Sequence, residues 1–83
     1  MLENTDYLMQ FGSPHRAMKA ERILKKARLP IALIPAPAGL GQGCSLAIRL
    51  PAEVHVAVLA VLVEAGMEPN KTFRQTPSGL VPV

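Results

Sequence analysis

Tyr7-Leu8-Met9-Gln10-Phe11-Gly12-Ser13-Pro14 changes period partway along. Tyr7, Met9 and Phe11 alternate with Leu8 and Gln10, the two-residue repeat of a strand, and Gly12 closes the run. Ser13 then offers a side-chain oxygen to cap a helix, and Pro14 suits the first helical position because its fixed φ is helical and its missing N–H is not needed there. Beyond it Ala17, Ala20, Ile23, Leu24 and Ala27 share one helical face, while His15, Lys19, Arg22 and Lys26 share another. Glu21 precedes Lys25 by one helical turn, the favourable order for an ion pair. The stretch reads as a strand passing directly into an amphipathic helix.

Working outward, Pro30 ends the helix region and Ile31 to Ile34 reads as a short second strand. The run Pro35-Ala36-Pro37-Ala38-Gly39-Leu40-Gly41-Gln42-Gly43 fits neither a helix nor a central strand, since its prolines lack amide donors and its glycines permit positive φ. Cys44 to Leu50 alternates again as strand three. Pro51-Ala52-Glu53 opens a second helix that stops at Gly66; its valines favour strand, but the length between proline and glycine exceeds a typical strand. A last strand covers Lys71 to Gln75. The expected order is therefore β-α-β-β-α-β: an α+β, ferredoxin-like sandwich, with a four-stranded antiparallel sheet and two helices on one face. Residues 1–75 form this single domain, and residues 76–83, with two prolines and a glycine, read as a loose tail.

The 83 residues are 49% hydrophobic and 18% charged, a balance that excludes a disordered chain and leaves room for one core. One cysteine cannot make an internal disulfide, and no basic segment followed by an apolar one stands at the N-terminus. The apolar run Val54 to Val63 is about half the ~20 residues of a membrane helix. These features point to the cytoplasm. The net charge of +3 is concentrated: Arg16, Lys19, Arg22, Lys25, Lys26 and Arg28 carry most of the basic character and face only Glu21 in that stretch.

Following the strand directions, the turn Gly12-Ser13-Pro14, the loop 35–43 and the start of strand three are expected at one edge, with strand three beside strand one. Cys44 would then lie near the N-terminus of the first helix, where unpaired amides and the helix dipole favour an anion. Amides around Gly41 and Gly43 would form a nest, and His15 and Arg16 would add positive charge. Each would lower the thiol pKa and favour the reactive thiolate. Equally, Cys44 shares strand parity with Leu46, Ile48 and Leu50, the expected core face, and free cysteine often behaves as a small buried hydrophobe.

Other chemistry finds little support. His15 and His55 fall on different helices and there is no Cys-x-x-Cys pair, so no metal site or cofactor is expected. The basic helix face suits a polyanion, yet strand three carries no stacking aromatic, so nucleic acid is not expected. His55 reads as a surface or interface residue. The second helix is apolar nearly all round, which predicts self-association or a docked partner there. No Ser-His-Asp set, carboxylate pair or P-loop can be assembled, so the domain is not expected to be an enzyme by itself.

The runs Phe11-Gly12-Ser13-Pro14-His15-Arg16-Ala17, Ala20-Glu21-Arg22-Ile23-Leu24-Lys25-Lys26, Ile34-Pro35-Ala36-Pro37 and Cys44-Ser45-Leu46-Ala47-Ile48-Arg49 resemble the selenium/sulfur carrier protein-like family over about residues 6–75. The resemblance implies a small carrier whose Cys44 holds sulfur or selenium as a persulfide or its selenium analogue, with Arg49 as the strand arginine of the motif. It also implies a donor and an acceptor protein. Ser45 stands where the family has glycine, and Ala38 where a basic residue often follows the Pro-x-Pro turn. The alternative is a non-catalytic interaction or ligand-sensing domain that oligomerises through its second helix.

Overall fold

In the computed structural model, residues 6–37 and 46–83 are described. The chain forms β1 (Asp6–Gln10), α1 (Pro14–Lys26), β2 (Ala32–Pro35), β3 (Leu46–Pro51), a single 3-10 turn (Ala52–Val54), α2 (His55–Glu64), β4 (Lys71–Thr76) and β5 (Gly79–Pro82). The described residues make an α+β domain with two α-helices and one antiparallel sheet of order β2-β3-β1-β4-β5. β1 lies between β3 and β4, with Met9 opposite Ile48 on one side and Thr72 on the other.

The sheet has five strands rather than the expected four. The fifth comes from the segment expected to be a loose tail. Thr76 and Gly79 face each other across a two-residue turn, Pro77-Ser78. The Thr76 hydroxyl donates to the Gly79 carbonyl at 2.7 Å and accepts the Ser78 N–H at 3.2 Å. A proline and a glycine that signal a tail when taken alone are here the turn chemistry of a hairpin. Pro82 is tolerated because β5 is an edge strand, where one side needs no amide donors.

Alternation buries both faces of the central strands. On the helix side Met9, Phe11, Ile48 and Leu50 pack with Ala17, Ala20 and Leu24 of α1 and Val58 and Leu62 of α2. On the opposite side Leu8 and Ala47 form a smaller cluster, with Ile34, Ala36, Phe73 and Leu80 packed against them. Leu46, Ile48 and Leu50 thus face the helices, the parity expected from the alternation. Tyr7 stacks on His55 at the start of α2, ring centroids 4.3 Å apart.

Both helices end by the same device. At the end of α2, the Met67 N–H bonds to the Leu62 carbonyl (2.8 Å), the Gly66 N–H bonds to the Val63 carbonyl (3.1 Å), and Gly66 has φ +71°. At the end of α1, the Leu29 N–H bonds to the Leu24 carbonyl (3.1 Å), the Arg28 N–H bonds to the Lys25 carbonyl (2.9 Å), and Arg28 has φ 63°. This is the Schellman arrangement, and its left-handed residue is ordinarily glycine. The stop of α1 is therefore set by Arg28, before Pro30 is reached. A side chain in that conformation costs about 1 kcal/mol. Arg28→Gly is expected to raise stability by roughly 1 kcal/mol and Gly66→Ala to lower it by a similar amount, where no atom crowds an added Cβ. Urea unfolding midpoints at unchanged slope would measure both.

Candidate functional site

The elements around the candidate site are set by the β1–α1 turn. Gly12, with φ +85°, reverses the chain; a Cβ there would lie 2.6 Å from Asn70 Nδ2. Asn70 is itself tied to the end of β1, its N–H bonding to the Gln10 carbonyl at 2.7 Å. Ser13 takes extended geometry and its Oγ accepts the Arg16 N–H at 3.2 Å, while its carbonyl accepts the Ala17 N–H at 3.0 Å. Pro14 has no N–H. The His15 amide is left as the first-turn donor without a partner among the described residues, and the His15 side chain is exposed.

Pro35 pairs with Leu46, so the chain leaves β2 and takes up β3 at the same end of the sheet as this turn. Cys44, Gly41 and Gly43 lie outside the described residues. Of the remaining candidates, Ser13 and His15 sit together at the start of α1. Arg49 does not join them. It is half-buried on β3, opposite Leu8 of β1 and Ala32 of β2, hence on the sheet face turned away from the helices. Among the described residues no three His, Cys, Asp or Glu side chains come together as metal ligands. Among the described residues no helix is long and apolar enough to cross a membrane.

Sequence reasoning passed over Gln10. It is 5% exposed, and its Nε2 is buried without a hydrogen-bond partner among the described residues. It shares the face of Leu8 and Arg49, and is opposite Lys71 on β4. A glutamine alternating with apolar residues reads as solvent-facing in a sequence pattern; here it shares its strand face with Leu8, which belongs to the second apolar cluster. An unsatisfied buried donor costs about 1–3 kcal/mol. Gln10→Met, which keeps the length and removes the donor, is therefore expected to stabilise the fold by roughly 1 kcal/mol, read as a higher thermal midpoint. An unchanged or lower midpoint would mean the amide is satisfied in solution.

The family model described as "Putative Se/S carrier protein-like" matches residues 6–74, nearly the whole domain and all of β1 to β3. No curated protein and no solved structure gives a match to the chain.

Proposed function

The chain belongs to the Se/S carrier protein-like family, and on that premise we propose that it carries sulfur or selenium covalently on Cys44. The observation that carries this reading is the family match, whose span includes the chain's single cysteine. The helix start supports it: the His15 amide, without a partner among the described residues, and the positive end of α1 favour an anion at the end of the sheet where β2 ends and β3 begins. The strand order β2-β3-β1-β4, with α1 and α2 packed on one face, supports reading the scaffold as a ferredoxin-like unit extended by β5.

In loading, the Cys44 thiolate attacks the outer sulfur of a donor protein's persulfide. A new S–S bond forms at Cys44, the donor's S–S bond breaks, and the donor leaves as its thiolate, with no net oxidation. In delivery, an acceptor nucleophile attacks the outer sulfur and Cys44 returns as the thiolate. Selenium would follow the same two displacements. The protein acts as a stoichiometric carrier in the cytoplasm, not as an enzyme, and its partners are the donor and the acceptor. Thiolate character decides the rate of the first step.

Incubation with a cysteine desulfurase and cysteine is expected to give a protein one sulfur atom heavier by intact mass. The adduct should be released by a thiol reductant and be absent in Cys44→Ser. Failure to load under conditions that load a known carrier would reject the reading. It would favour the alternative, an interaction domain acting through α2, whose Val56 is 79% exposed.

A further inference from the structure

The helix layer presents a surface that the carrier reading does not use. α1 and α2 pack side by side, and a groove between them is lined by Ile23 on one wall and Ala60, Val61, Glu64 and Ala65 on the other. It continues onto the outer face of α2 through Val56, Leu59 and Val63. Val56 is 79% and Val63 49% exposed, so this apolar face lies open to solvent. The small side chains of Ala60 and Ala65 leave space for a close approach.

The charge along the groove is one-sided. Arg16, Lys19, Ile23 and Lys26 are spaced three, four and three residues apart and so form one line down α1. Because Ile23 lines the groove, the same line places the three cations along its α1 rim, all exposed. Glu21, which engages Lys25 at 3.2 Å, lies on the other flank of α1 and does not neutralise them. Glu64 is the one acid among the lining residues.

We propose that this groove docks an amphipathic helix of a partner protein, apolar along its seam and acidic along the edge that meets Arg16, Lys19 and Lys26. A helix laid in an apolar groove with its flanking charges matched is a recurring recognition mode. A second copy of this chain fits less well, since it would bring the same cationic rim and a further net charge of +3. An anionic bilayer also fits less well. Neither helix carries Trp, Tyr or Phe to enter the interface, and Glu64 would face the lipid charge. The inference holds whether or not Cys44 carries a chalcogen.

The test uses two fluorescent synthetic helices with the same leucine seam, one flanked by glutamates and one by lysines, titrated against the whole protein. The glutamate helix is expected to bind, and Lys19→Glu with Lys26→Glu to weaken it by roughly tenfold. Both positions are exposed, so folding should be retained, as circular dichroism would verify. Amide shifts on binding are expected at Ile23, Ala60, Val61 and Glu64. The proposal is overturned if the two helices bind alike, if the charge reversals leave affinity unchanged, or if the shifts fall on the sheet instead. Sedimentation showing a dimer that buries α2 would overturn it in favour of self-association. So would a charge-dependent association with phosphatidylserine vesicles without binding of the glutamate helix, which would make the face a membrane surface.

Discussion

The fold depends on one strand being buried on both sides. β1 sits between β3 and β4, and its alternate side chains are divided between two packing layers: Met9, with Phe11 just beyond it, goes to the helices, and Leu8 to the opposite cluster. All three side chains are fully buried. A strand in that position cannot slip by one residue without moving Leu8 against the helices and exchanging the buried Gln10 for an apolar neighbour. Its register fixes where β1 ends, hence where Gly12 turns and where Ser13 caps α1.

That constraint explains why the first third of the chain was the most legible in sequence. The strand period, the serine cap, the proline at the first helical position and the Glu21–Lys25 pair each have a local cause, and all appear in the structure. The second helix was legible from its flanking proline and glycine, though it begins with a 3-10 turn that no residue pattern announces. The fifth strand was not legible. Leu80 and Val81 make a strand only because β4 offers an edge to pair with, which is a tertiary fact. The left-handed arginine at the end of α1 was hidden for the same kind of reason. A local strain is tolerated there because Leu29 gains its bond to Leu24 and packs on the core.

The candidate site was legible in part. Ser13 and His15 stand at the start of α1 as the topology implied, and β3 does lie beside β1. Arg49 was grouped with them by sequence motif, yet strand parity puts it on the far face of the sheet. A motif records which residues occur together along the chain, whereas a strand turns successive side chains in opposite directions. The sheet therefore stands between Arg49 and the helix layer to which the first turn of α1 belongs.

The two outer strands give the domain a further property. β2 and β5 are each four residues long and each ends in proline, Pro35 and Pro82. Short rims that finish on a residue without an N–H make poor templates for another extended chain. The hairpin that adds β5 thus does more than enlarge the sheet. It replaces the longer rim of β4 with a blunt one and discourages partners from joining by strand addition. The exposed apolar surface lies instead on the helix layer, at Val56 and Val63.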